Sequence, residues 1–354
     1  MKHWGKALVG ATITIVALWW VLKDADFGEI VANIRGGDMG LLVAAVFVAT
    51  FGFFIRALRW KVLLSPMKAD TKLRSRFAGV AIGFMGNNIL PARAGEFARP
   101  YALSRMEPVS MSAAFGSIVV ERFMDGVMLL AFLLVPLVTP GFPGVGALTT
   151  GLGGVILKAG VLAVIGVMVA LVFMAVWPAH FVRLAEWFAR FLPTRVARPL
   201  VGALESFLDS IAIMRDPKLL TLGFAWTAFF WTWHAMSFWL GMMAFGIDTG
   251  FVSAIFTEAV VGFGVALPSA PGFFGTFHAS ADFALSTVYG VETSQSLAFA
   301  FGYHFGGWVP ITLIGLYYAW ALGLTLGDVG SAEERVEDGI EEERSDTRES
   351  VGER

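Results

Sequence analysis

The sequence predicts an all-α polytopic membrane protein with six full spans and two re-entrant helix hairpins in an inverted repeat. Three observations carry this. Hydrophobic residues make up 56% of the chain against 15% charged ones, and the mean hydropathy is +0.70, far from the balance of soluble domains. Apolar runs long enough to cross roughly 30 Å of hydrocarbon, about 20 residues each, recur along the chain. One stretch also occurs twice: Leu90-Pro91-Ala92-Arg93-Ala94-Gly95-Glu96-Phe97 and Leu267-Pro268-Ser269-Ala270-Pro271-Gly272-Phe273-Phe274 keep Leu, Pro, Gly and the last Phe in the same places. Pro and Gly interrupting apolar segments at matching positions of two halves point to a transporter's binding site.

The spans are predicted at about 5–22, 41–64, 111–138, 155–177, 218–246 and 295–326. The first has Lys2 and Lys6 before its apolar run, like a signal peptide, but no small-x-small cleavage site precedes Lys23, so it is expected to be retained. The hairpins fall at about 77–104 and 251–290, each with a Pro-Gly break at its centre. Non-helical backbone at membrane depth is tolerated only where protein or a watery cavity covers it. The breaks should therefore face inward.

Lysine and arginine in short connections set the orientation. Lys2 and Lys6, then Lys61, Lys68, Lys72, Arg74 and Arg76, then Arg183 to Lys218 mark cytoplasmic segments, whereas residues 139–154 carry no charge. Both termini are then cytoplasmic and the chain sits in the cell membrane. The first hairpin enters from inside and the second from outside, so the halves at about 1–138 and 155–326 are inverted. Phe181, Leu184, Phe188, Phe191 and Leu192 at helical spacing against Arg183, Glu186 and Arg190 predict interfacial helices over about 180–214. Residues 1–326 thus form one transmembrane domain. Residues 327–354, rich in charge and almost without aliphatic or aromatic side chains, are expected to be a disordered cytoplasmic tail.

Proline suits the first position of a helix, where its missing N–H is unpaired anyway. Pro91 and Pro271 are placed to open the second arm of each hairpin, with Ser269 and Gly272 beside the second break. Free N–H groups and the helix dipole would then favour an anion near the midplane. Arg93, Glu96 and Arg99 lie at i, i+3, i+6, so two guanidiniums flank one carboxylate. Arginine's planar fork suits phosphate, although a purely structural pairing with Glu96 explains the pattern too. Asn87 and Asn88 would contact a head group or cap loose carbonyls.

Glu121, Arg122 and Asp125 interrupt an apolar span. Each charge at the bilayer centre costs about 2.5–3.5 kcal/mol on the insertion scale, which makes these residues substrate-binding candidates unless they are ion pairs with Arg93 or Arg99. Glu258, with His278 and Asp282 at i, i+4, is a candidate proton relay or a hydrogen-bonded structural set. His234 and His304 read as satisfied buried histidines, and Arg56 and Arg59 as side chains snorkelling to the cytoplasmic interface. With no cysteine and no HExxH, Walker A, GxGxxG or GxSxG pattern, no metal, cofactor or enzymatic activity is expected, nor a nucleic-acid partner.

Residues Gly83 to Glu96, Val119 to Gly126 and Pro268 to Gly272 resemble the flippase-like transmembrane domain of lysylphosphatidylglycerol synthases and its stand-alone relatives. The resemblance runs to about residue 326 and implies movement of a polar-headed lipid between leaflets. The charged tail is too short to be the synthases' aminoacyl-transferase domain, so lysyl transfer is not implied. The main expectation is a lipid translocase holding an anionic or phosphate-bearing head group between the hairpin tips by Arg93, Arg99 and the helix N-termini. A proton- or ion-coupled transporter of a small soluble anion is the alternative. An intramembrane lipid-modifying enzyme, or a partner of one, is a weaker third, and an oligomer is compatible with all three.

Overall fold

A computed structural model describes residues 2–23, 25–146, 176–191 and 216–336, with scattered positions between 150 and 208. Among them every regular element is helical: α1 (Lys2–Leu22), α2 (Phe27–Gly36), α3 (Met39–Leu64), α4 (Leu73–Ile89), α5 (Gly95–Ser104), α6 (Met111–Leu134), α7 (Pro178–Ala189), α8 (Pro217–Ala244), α9 (Phe251–Gly264), α10 (Thr276–Asp282), α11 (Thr293–Ala321) and α12 (Leu326–Gly330).

Local chemistry explains the starts. Asp26, Asp38 and Asp216 accept from backbone N–H groups in the first turns of α2, α3 and α8, and Pro217 follows at N1. Ser110 does the same for α6. The mixed-sign connection between Lys23 and Asp38 therefore holds a capped helix, α2, which lies along α11. Among the described residues two helices, α3 and α11, are long and apolar enough to cross a membrane, and α1 with α2 forms a further candidate bent by 87°. Helices α6 and α8 reach 24 and 28 residues. About half of the expected span at 155–177 lies outside the described residues, and its described positions up to 176 are helical; most of 190–214 lies outside the described residues too. Helix α7 exposes Leu184, Trp187 and Phe188 and buries nothing.

The segments around the two Pro-Gly breaks are helix pairs whose arms pack on each other, α4 with α5 and α9 with α10. Their turns, Pro91–Arg93 and Pro271–Phe273, touch. Gly95 allows the close approach of the first pair: a Cβ there would stand 1.7 Å from the Gly83 carbonyl oxygen. Gly272, at φ +72°, sits where a Cβ would be 2.7 Å from Nε1 of Trp308.

The contacts among eight helices are unchanged when α3, α4, α5 and α6 are exchanged for α8, α9, α10 and α11. Thus α4 packs on α11 and α6 on α9; α3 meets α11 and α8 meets α6; and α3 lies against α8. The 177-residue offset of the repeated stretch is the sequence trace of this pairing.

The start of the tail departs from expectation. Instead of being disordered, α12 and the helical residues 332–336 bury Val329, Ala332 and Val336 against Ile82, Ala98 and Tyr101 of the first helix pair. These few apolar side chains suffice because the hairpin offers them a ready-made surface. Thr325 hydrogen bonds hold the Asp328 carboxyl below its ordinary value. Residues 337–354 lie outside the described residues.

Candidate functional site

Seven ionisable side chains converge where α3, α5 and α6 meet. Asp125 lies one turn beyond Glu121 on α6, so both carboxylates face the same neighbours. Glu121, fully buried, receives Arg99 of α5 through both guanidinium nitrogens at 2.8 and 2.9 Å. Arg59 and Arg56 of α3 approach it at 2.9 and 3.3 Å, and Arg122 at 2.8 Å. Asp125 is held by Arg59 at 2.6 Å and by Nε1 of Trp231 at 2.8 Å. Among the described residues Glu96 forms an ion pair only with Arg122, at 3.8 Å. Four guanidiniums thus meet three carboxylates, an excess of one positive charge. Arg122, its side chain 39% exposed, is the most open member.

Arg56 and Arg59 correct the sequence reading. They do not snorkel but are 6% and 0% exposed inside the cluster, because α6 brings carboxylates that neutralise them. The available signal was two arginines three apart in an apolar helix, which by default marks a functional site. Arg56 also lies over the rings of Phe230 and Phe84, and Arg99 over Trp60 at 3.9 Å.

At the tips, Arg93 does not flank Glu96 with Arg99. It takes φ +56° in the turn after Pro91 and donates to the Val265 carbonyl of the opposite hairpin. No carboxylate among the described residues pairs with it. Pro91 and Pro271 open short 3-10 turns and not the arms themselves, which begin at Gly95 and Thr276. The dipole of α10, seven residues long, is correspondingly small. Thr14 of α1 holds the second tip, accepting from the Ala270 N–H and donating to the Phe274 carbonyl. Ser269 lies on this strapped turn, with its carbonyl against Gly10.

Between the two halves lies a cavity of about 200 Å³. Aromatic rings form most of its wall, and its polar groups come from Arg56, Asn88, His234, Glu258, His304 and Trp308. Asn88 is held by Thr312 at 2.8 Å, whereas the Asn87 side-chain oxygen, buried behind Gly95, has no partner. Glu258, His278 and Asp282 are not joined in a chain. Glu258 bonds His234 at 2.6 Å, His278 accepts from the Gly275 N–H at 3.3 Å, and Asp282 accepts from Ser286 and Ser296. His234, read as a satisfied buried histidine, has Glu258 as its partner. It shares a face of α8 with Trp231, ring centroids 6.2 Å apart, and nothing in its own helix signals the carboxyl on α9.

Two hairpins touching at their tips, buried charges and an apolar exterior define a membrane-embedded helical protein built around an internal polar site. The chain belongs to the family of the lysylphosphatidylglycerol synthase TM region, whose model matches residues 7–315. A Haloferax volcanii protein named glycosyltransferase AglD is 22% identical over 318 residues, 83% of this chain and 50% of that protein. The chain therefore spans half the length of that relative. A UPF0104 membrane protein of Methanothermobacter thermautotrophicus is 26% identical over 262 residues, 70% of this chain and 75% of its own. Another from Methanocaldococcus jannaschii is 34% identical over 82 residues, 23% of this chain.

Proposed function

We propose that this protein is a lipid translocase of the cell membrane that passes an anionic or phosphate-bearing head group between the two hairpin tips while the acyl chains trail into lipid. The carrying observation is the cationic excess beside the tips: four arginines against three carboxylates, with Arg93 a further guanidinium bonded to a carbonyl alone. A phosphate would find in Arg93 the cation least committed to carboxylates and in Arg122, although it is ion-paired to Glu96, Glu121 and Asp125, the most exposed guanidinium of the cluster. Asn87, Asn88, Ser269 and the Pro271-Gly272 turn would complete its surroundings. Arg99, Glu121 and Asp125 then set the local charge instead of touching the lipid.

The exchange-symmetric helix contacts support an inverted repeat in which both hairpins re-enter the membrane from opposite sides. An apolar groove of about 400 Å³ between α1 and the second hairpin, lined by Ile13, Val16, Trp20 and Leu267, suits an acyl chain. That groove favours a lipid over a small soluble anion. A second reading, a lipid-modifying enzyme or its partner, draws on the relative named as a glycosyltransferase; turnover of a lipid substrate by pure protein would establish it.

The deciding experiment is leaflet exchange in proteoliposomes with fluorescent lipids bearing anionic, zwitterionic and aminoacylated heads, comparing wild type with Arg93→Ala. Exchange that ranks the heads and disappears in the variant is expected. Equal exchange by folded Arg93→Ala would remove that residue from the path.

A further inference from the structure

Glu258 is 1% exposed on α9 and lies in the wall of the central cavity. One carboxyl oxygen is 2.6 Å from Nδ1 of His234 on α8. The other has no hydrogen-bond partner.

The surrounding charged and titratable groups have other partners, although Nδ1 of His304 and Nε2 of His278 are left without a hydrogen bond. Arg56 of α3 lines the same cavity but is held by Glu121 and Asp125 at 3.3 and 3.5 Å. From α6, Asp125 is bonded to Arg59 and Trp231. From α11, the Tyr303 hydroxyl is bonded to Ser237 at 2.6 Å, and the His304 ring stacks on Phe277 with centroids 4.2 Å apart. His278 of α10 stands behind His304, ring centroids 5.1 Å apart, and accepts from Gly275. No lysine or arginine among the described residues forms an ion pair with Glu258.

A buried carboxylate without a cation is unfavourable by several kcal/mol. A carboxylic acid donating its O–H to a neutral imidazole satisfies the 2.6 Å contact with no net charge. The geometry points to Glu258, partnered by His234, as a proton-binding site that couples cargo movement through the cavity to a proton. The coupling rests on the translocase reading above; the proton site does not.

While the cavity is closed, the carboxyl keeps its proton. Opening to water lets the O–H bond break: the electron pair stays on the carboxylate oxygen and the proton leaves to solvent. Water and the Arg56 guanidinium on the same wall then stabilise the anion. Glu258 rides on an arm of the second hairpin, whose tip bears on the first. A change at the tips therefore alters its setting against His234 on α8, which is how proton and cargo are linked.

Two measurements on the full-length protein test this. Infrared difference spectra between acid and alkaline pH should show a protonated-carboxyl band that is lost in Glu258→Gln and shifted in His234→Gln, where the acid loses its acceptor. The absence of any band sensitive to Glu258→Gln, or a band indifferent to His234→Gln, would overturn the site.

In proteoliposomes carrying a fluorescent phosphatidylglycerol probe, an imposed pH gradient should raise wild-type exchange several-fold and leave the Glu258→Gln rate unchanged. A wild-type rate indifferent to the gradient, or a variant that keeps the response, would overturn the coupling. If neither protein exchanges the probe while the Glu258 band is present, the failure belongs to the translocase reading and the proton site stands on its spectrum.

Discussion

Arg99 places both guanidinium nitrogens on the Glu121 carboxylate, at 2.8 and 2.9 Å, and so fastens the second arm of the first hairpin to α6. Three more arginines share that carboxylate. Helix positions that read as isolated charges are thus one mutually dependent unit.

Glu121→Gln leaves several buried guanidiniums without their shared anion. Breaking one side of a buried ion pair costs about 3–5 kcal/mol, so a markedly lower unfolding midpoint in detergent is expected. Arg122→Gln leaves Glu121 with three arginines and Asp125 with two, so it should cost less than Glu121→Gln. Equal shifts for the two would contradict the placement of the cluster.

Gly95→Ala puts a methyl 1.7 Å from the Gly83 carbonyl oxygen, and backbone on both sides prevents easy relief. A loss of about 1–3 kcal/mol or more is expected. Gly126→Ala on α6 meets nothing within 4 Å and should be neutral or gain about 0.5–1 kcal/mol from helix propensity. Thermal unfolding of the two variants side by side checks both signs.

A charged bridge within the tail segment and a hydrogen bond to the first helix pair fix it in place. Arg335 bonds Asp328 at 2.6 Å and the Tyr101 hydroxyl at 3.0 Å. Hydrogen bonds from Thr325 lower the Asp328 carboxyl, so its contribution is present above the ordinary carboxylate value and is lost as pH falls through the depressed one. A nitroxide on Gly330→Cys should be immobile at about pH 7 and gain mobility once the pH has fallen below the ordinary carboxylate range. The same label on Asp328→Asn should be mobile at both. An unchanged spectrum on acidification would deny Asp328 this role.

The proposed opposed orientation of the halves is open to direct labelling, since the chain has no cysteine. Single cysteines at the exposed Arg105 and Asp248 should react with impermeant reagent from opposite sides of the membrane. Same-side labelling would rule out the inverted repeat.

The sequence by itself determined the membrane class, the long apolar helices α3, α6, α8 and α11, and the two breaks. Hydropathy and period act locally, and Pro91, Gly95, Pro271 and Gly272 disrupt a helix wherever it lies. Glu121, Arg122 and Asp125 were legible too, because a charge in an apolar run is costly whatever its partner. Only the tertiary structure decided which charges meet. Arg59 sits 66 positions from Asp125 and Arg93 lies 172 from Val265, and no local pattern encodes such distances. His234 lies 24 positions from Glu258, across the turn from α8 to α9. Ion pairs and shared protons depend on distance in space and on exclusion of water. Both are set by how α3, α6, α8 and α9 pack together.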